Sequence, residues 1–502
     1  MFAKTMVTRK IIRYLRITGR AIAIVIATII LLRAFDARSL PDLHVWHEVR
    51  FDNEFHANRD RNVTTLADYL VKERAVFEEL NVKVYGELAD EPAAGISRFN
   101  ADSVFNSQNH ERDWNRTTEL VPEKPRGVAL MLHGLTDSPY SMRSTAELFF
   151  EAGYHVLVPR LPGHGTAPAG ILRAHWEDWR AVARIGAAHL RSNENADLPF
   201  VIVGYSNGGA LAVNYVLDAL DDDAQPMPDR VILMSPAIGV TPFAFFASWN
   251  RTLSWLPFFQ KFAWESVVPE YDPYKYNSFP KAAGNETFEL ARHVQKRLKR
   301  LSANSVASGM PPIITFLPLT DATVRTAATA EHLYSGLNRP QDELVIYDIN
   351  RLADIAQFFN TSYQGLLPQL QNDAKRQYRL TLVSNRSQDS LQVDATSGHG
   401  SRTIMETIDN EWPDDIYSLS HVSIPFPVDD AWYGDGRSPS PDHMSLGNLN
   451  VRSEKNLLIV SPAQILRLRY NPFHDYQMQR ITALLAELQK PTDIKKEERQ
   501  RQ

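Results

Sequence analysis

Cysteine is absent from all 502 residues. That excludes disulfides, thiol nucleophiles and cysteine-ligated zinc, and the compartment must be read from other features. A strong excess of either charge is also missing. A formal net charge of -5 offers no basic field for gripping a phosphate backbone, so nucleic acid is not an expected partner. Internal repeats and low-complexity tracts are lacking too. What the chain does have is 44% hydrophobic and 10% aromatic residues, enough to bury a large core in one decorated domain or two ordinary ones.

The compartment is suggested by the first forty residues. Lys4, Arg9, Lys10, Arg13, Arg16 and Arg20 precede the apolar run from Ala21 to Leu32, with no acidic residue before it. As a helix that run spans about 18 Å, short of a hydrocarbon core of roughly 30 Å. Extended from Ile17 to Phe35 it is long enough if Arg20 and Arg33 snorkel to the two interfaces. Ala37, Arg38 and Ser39 make a poor cleavage site, so an uncleaved membrane anchor over 1–39 is preferred to a signal peptide. The positive-inside rule then places everything after Arg33 outside the cytoplasm.

Residues 40–123 read as a polar extension with an amphipathic helix from Thr65 to Leu80. From about 124 to 490, short apolar runs alternate with helix-length segments, the pattern of an open, mostly parallel sheet with helices on both faces. Strands are predicted at 128–132, 155–158, 200–203, 231–234, 313–317 and 344–349, with helices at 141–152, 176–190 and 209–220. The alternation breaks over 237–310, a stretch rich in aromatics (among them Phe243, Phe245, Phe246, Trp249, Trp255, Phe262 and Trp264) that would lie over the carboxyl ends of the strands as a helical cap. A second insertion is placed at 350–414, around the strand-like Leu380 to Val383. Residues 491–502 form a charged tail.

One pentapeptide carries most of the chemistry. Gly204-Tyr205-Ser206-Asn207-Gly208 sits where the apolar run Phe200 to Val203 gives way to a helix-like segment. A serine on a sharp strand-to-helix turn is a nucleophile elbow, in which side chains at the glycine positions would crowd the bend. Upstream, Val128 to Leu132 runs into His133-Gly134-Leu135. Backbone N–H groups for a tetrahedral oxyanion are therefore assigned to Leu135 and to Asn207, the residue after the nucleophile, with His133 shaping the loop.

Leu132 to Ser138, Arg160-Leu161-Pro162-Gly163-His164-Gly165 and the Ser206 pentapeptide occur in the order and approximate spacing of the α/β-hydrolase superfamily, and the chain resembles its branch of monoacylglycerol lipases, carboxylesterases and serine aminopeptidases. The resemblance is strong from Gly127 to Ser235 and weak beyond. It implies an α/β-hydrolase fold, a structural role for His164, and a triad in the order serine, acid, histidine. The acid it implies is Asp321, a short turn after the strand-like 313–317; Asp348 and Asp394 fit less well. The histidine is where the sequence departs from the family: Asn350-Arg351-Leu352 follows the strand that should lead to it. His399 and His421 remain, and His421 is preferred because a short strand-like segment, a small residue and an apolar turn surround it.

Three functions are compatible with these residues: an ester hydrolase acting on acyl or lipid-like substrates, a peptidase using Glu265, Glu270 or Asp272 to hold a free amino group, and a non-enzymatic binding protein on the same scaffold. The first is preferred, with Ser206 as nucleophile, His421 as base and Asp321 orienting it, and with no metal or organic cofactor.

Overall fold

The computed structural model describes residues 40–89, 97–192, 195–240, 257–304, 309–321, 323–352, 361–399, 402–413, 416–436 and 468–489, with isolated positions between 14 and 38. The expected anchor lies largely outside these residues, as do the tail at 491–502 and Phe243, Phe245, Phe246, Trp249 and Trp255 of the expected cap. Among the described residues no helix is long and apolar enough to cross a membrane.

Apolar runs form the strands β1 (Thr118–Leu120), β2 (Gly127–Leu132), β3 (Tyr154–Val158), β4 (Phe200–Tyr205), β5 (Arg230–Met234), β6 (Trp264–Ser266), β7 (Phe279–Pro280), β8 (Ile313–Pro318), β9 (Glu343–Tyr347), β10 (Arg379–Asn385), β11 (Gln392–His399) and β12 (Arg402–Glu411). β6 and β7 make a separate ribbon; the rest form one sheet in the order β1-β3-β2-β4-β5-β8-β9-β10-β11-β12. Pairing is parallel from β3 through β10 and antiparallel at both ends. The longer helices are α1 (Leu66–Leu80), α2 (Arg143–Glu151), α3 (Trp176–Leu190), α4 (Asn207–Asp221), α5 (Lys281–Asn304), α6 (Thr361–Gln371) and α7 (His474–Gln489).

The central strands are apolar on both faces because both faces are covered. Val128, Leu130 and Leu132 of β2 join the core that α1, α3, α4 and α5 share, while Ala129 and Met131 join the opposite core with α2 and α7. The sheet is open, mostly parallel and covered on both faces, as the alternation predicts, and it has the α/β-hydrolase fold that the resemblance implies. The segment expected as a second insertion contributes β10, β11 and β12, which continue the sheet beyond β9. Its strands were hard to read because β12 is solvent-facing: Ile404 and Met405 are exposed, so no buried alternation marks it.

The extension at 40–123 packs onto this body. Phe55, Leu66 and Tyr69 enter the main core, and Arg160, fully buried, is held by Glu54 at 2.7 Å and by Glu73 at 3.5 Å. A buried guanidinium needs such partners, since an uncompensated charge there costs several kcal/mol, about 3–5. Both carboxylates come from the extension, which fastens it to the loop carrying Pro162-Gly163-His164-Gly165.

The tightest backbone approach is that of α4 to β2. A Cβ on Gly208 would stand 2.0 Å from Leu132 O and 2.6 Å from His133 O. Gly208→Ala is expected to lower the melting temperature, by at least the roughly 1–3 kcal/mol typical of overpacking, because backbone rather than a flexible side chain opposes the methyl. A melting curve superimposable on the parent's would contradict this account of the turn.

Candidate active site

β4 ends in a turn whose central residue, Ser206, has φ 51° and ψ -114°. A non-glycine residue in that region is strained and persists only where its surroundings over-determine it. Here its N–H donates to Met234 O at 2.9 Å, and its carbonyl accepts from Gly209, Ala210 and Ala237 N–H at 3.0, 3.2 and 2.8 Å. Thr136 and Ser235, just beyond β2 and β5, also have positive φ, so strained residues gather at the carboxyl ends of neighbouring strands. Asn207 opens α4, where a backbone N–H has no partner within the helix, and its side-chain Oδ1 accepts from Thr287 Oγ1 of α5 at 3.1 Å.

The loop after β2 lies against this turn. His133 Nε2 accepts from Leu161 N–H at 3.0 Å while Nδ1 donates to Gly134 O at 2.9 Å, and burial lowers its pKa to about 3. His164 donates from Nδ1 to Leu161 O and Pro162 O, at 3.2 and 3.1 Å, and burial pushes it well below the usual range. Both rings are neutral structural groups, in keeping with the sequence reading. Leu135 follows at a half-buried position beside Ile171 and Tyr276.

Asp321, in the loop after β8, is buried and meets His421: Nδ1 donates to Oδ1 at 3.1 Å. The same Oδ1 accepts from Thr323 and Val324 N–H at 2.7 and 3.0 Å. Burial alone would raise the pKa of Asp321, but the facing imidazole and these backbone donors outweigh it and hold it below the ordinary carboxylate value. An ionised carboxylate only accepts, so Nδ1 of His421 carries the proton of this bond, and whenever the ring is neutral Nε2 holds the lone pair. His399 does not join this group: it ends β11, exposed, with Nδ1 donating to Gln377 O at 2.7 Å. Asp348 pairs with Arg351 and Asp394 with Arg386. His443 lies outside the described residues.

The segment before His421 is irregular rather than the short strand its sequence suggests; a few specific bonds place it instead. Asn350, just past β9, donates from its N–H to Tyr417 O at 2.8 Å and from Nδ2 to Ile416 O at 3.3 Å, and Asn385 Nδ2 donates to Asn350 Oδ1 at 3.1 Å. Beyond His421, the buried Gln477 of α7 donates from Nε2 to Ile424 O at 3.2 Å, contacts Met234 Sδ at 3.7 Å and accepts from Tyr347 Oη at 3.0 Å. Met234 is the residue that receives the Ser206 N–H, so Gln477 ties the histidine loop to the elbow. The detour through β10, β11 and β12 therefore returns the chain to the end of β9. Asn350 and Gln477 carried no signal in the sequence because their partners lie tens to hundreds of residues away.

Part of the expected cap is described: the ribbon β6–β7 and helix α5, with Phe262 and Trp264 buried. Lys275 reaches down to Asp137 of the β2 loop at 2.8 Å. Burial raises the pKa of Asp137, opposed by Lys275 and, more weakly, by His421. The acidic residues considered for an amino group are otherwise engaged. Glu270 accepts from Asn277 and Ser278 N–H, and Asp272 accepts from Tyr274 and Lys275 N–H and from Tyr433 Oη, while Glu265 is exposed. Removing the Asn350 side chain leaves buried backbone carbonyls short of a donor, at about 1–3 kcal/mol. Asn350→Ala is thus expected to speed amide hydrogen exchange selectively around 416–424; protection equal to the parent's there would show that the loop is placed by other contacts.

Residues 123–335 match the family model described as serine aminopeptidase, S33. The chain is 36% identical over 114 residues to the thermostable monoacylglycerol lipase of Bacillus sp. (strain H-257), covering 23% of this chain and 44% of that one. It is 27% identical over 118 residues to phospholipase YtpA of Bacillus subtilis (strain 168), covering 24% and 43%. It thus spans less than half the length of these curated relatives. Among solved structures, the Paleococcus ferrophilus monoacylglycerol lipase covers 46% of this chain and 88% of its own at 17% identity, with a TM-score of 0.35, too low to bear on function. With its doubly covered parallel sheet and its strained serine after β4, the chain has the α/β-hydrolase fold, and over these same strands it is similar to the serine aminopeptidase, S33, family and to a monoacylglycerol lipase.

Proposed function

We propose that the protein is a serine hydrolase that cleaves carboxylic esters of acyl or lipid-like substrates. The observation that carries the reading is the Asp321–His421 bond at 3.1 Å, tied through Gln477 and Met234 to a serine in a strained turn. In this reading His421 Nε2 takes the Ser206 hydroxyl proton as Oγ attacks the ester carbonyl. Asp321 holds the imidazole in the required tautomer and stabilises the imidazolium. The Leu135 and Asn207 N–H groups receive the oxyanion, the second helped by the positive end of α4. His421 then protonates the departing alcohol, and water, activated by the same ring, releases the acid from Ser206. No step of this ester chemistry calls for a metal or cofactor.

The ester reading is preferred to a peptidase because Glu270 and Asp272, the buried ones among the three acidic residues considered for an amino group, already accept backbone N–H donors. The names of the curated relatives, a monoacylglycerol lipase and a phospholipase, lean the same way. Ser206→Ala is expected to abolish turnover of p-nitrophenyl esters while leaving the fold intact. His421→Ala should cost several orders of magnitude and His399→Ala almost nothing, from the roughly 10³–10⁶-fold range seen when a triad member is lost. Turnover of aminoacyl-naphthylamides in preference to acyl esters from acetyl to palmitoyl would replace this reading with the peptidase.

The proposal extends to location: residues 1–39 anchor the chain, with the catalytic domain outside the cytoplasm and near lipid. The basic cluster before Ala21 to Leu32 supports it. Membranes washed with alkaline carbonate should keep the full chain, and its release into the wash would count against an anchor.

A further inference from the structure

At the opposite end of the sheet from Ser206, three potential metal ligands converge. Glu119 lies in the middle of edge strand β1, His155 near the start of β3, and His189 in the last turn of α3. The antiparallel pairing of β1 with β3 sets Glu119 opposite Leu157, so its side chain can reach past that strand's beginning. One carboxylate oxygen, Oε1, lies 2.7 Å from His155 Nε2 and 2.6 Å from His189 Nε2, and all three candidate ligand atoms fall within 4.8 Å of one another. The two rings stand 6.0 Å apart at 83°.

We infer that Glu119, His155 and His189 form a binding site for a divalent transition-metal ion of the zinc class. Two imidazoles and a carboxylate are the donor set such ions take, and in a chain without cysteine they are its strongest available ligands. The fit requires little movement. Ligand bonds of about 2.0–2.2 Å at tetrahedral angles separate donor atoms by roughly 3.3 Å, so each imidazole must withdraw from Oε1 by about 0.6 Å.

A supporting residue is already in place. His155 Nδ1 lies 3.2 Å from the Asn195 side-chain amide, which is drawn as its donor. With Nε2 turned to an ion, Nδ1 must carry the proton, and rotating the amide by half a turn offers Oδ1 to receive it. The His155 side chain is buried, at 9% exposure, whereas Glu119 and His189 stand about a third exposed, at 31% and 35%. The site is therefore open to solvent on one side, where water completes the coordination. Because β1, β3 and α3 each supply one ligand, the bound ion would staple the edge strand and the end of α3 to the sheet. Its remoteness from the carboxyl ends of the strands assigns it to stability, not to the ester chemistry.

The test uses the full, untagged chain stripped with chelator and titrated with ZnCl₂, followed by calorimetry, metal analysis after gel filtration, and melting. One zinc per chain and a rise in melting temperature are expected, and CoCl₂ should give the visible bands of a low-coordinate cobalt centre. Glu119→Gln and His189→Asn should each weaken zinc binding by roughly tenfold or more and remove the melting shift, and Asn195→Ala should weaken it by about tenfold. Should His155→Asn fail to fold, the more exposed His189→Asn decides the matter. Failure of the parent to bind zinc at micromolar concentration, or equal binding by parent and His189→Asn, overturns the assignment. Activity toward p-nitrophenyl esters is read alongside: its loss with intact zinc binding in the Ser206→Ala protein would keep the two proposals separate.

Discussion

Ser206 is held at positive φ by a short set of bonds on which the rest of the site depends. Its N–H is committed to the end of β5, and its carbonyl serves both the first turn of α4 and the segment that leaves β5 at Ala237. Such a turn needs α4 to begin almost in contact with the end of β2, an approach that admits no side chain at Gly208, and it needs a glycine at 204, where a Cβ would stand 2.5 Å from Gly208 O. The same approach brings the loop of Leu135 beside Asn207 and lets Thr287 of α5 reach the Asn207 amide. One strained residue thus fixes the relation of two strands, a helix and part of the cap.

Around that turn several buried polar groups are linked to one another, which is what a low-dielectric interior favours. Asn350 and Asn385 secure the approach to His421, and Gln477, with Tyr347, secures the departure. On the other flank, Glu54 and Glu73 neutralise Arg160 beneath the Pro162 to Gly165 loop, while Tyr69 Oη donates to Arg160 O. The extension at 40–123 is in this sense part of the hydrolase body: without its carboxylates the loop would carry a buried, unpaired guanidinium.

How much was legible varied with the locality of the signal. Helices such as α3 and the strands β2, β3, β4, β5, β8 and β9 follow from apolar runs and turn residues close in sequence, and their observed limits lie within a few residues of those read from the pattern, whereas the short ribbon β6–β7 carried no strand pattern. Asp321 could be found because a strand and a short turn precede it. β11 and β12 escape the pattern although they pair locally, because β12 is largely exposed and no buried alternation marks it. The path to His421 was readable only as a preference over His399, since the segment before it takes its shape from Asn350 rather than from strand propensity.

The sequence by itself determined the fold class and the place of Ser206 on a sharp turn, because a strand-to-helix turn flanked by glycines is encoded in five consecutive residues and doubly buried strands announce themselves by composition. It also determined what is absent, above all cysteine chemistry. Only the tertiary structure decided which histidine meets Asp321, how 350–414 extends the sheet, and that Glu119, His155 and His189 converge. Each of these depends on contacts between residues 34 to 100 positions apart, the sheet's extension through the pairing of β10 with β9, and such distances are set by packing and not by any local pattern.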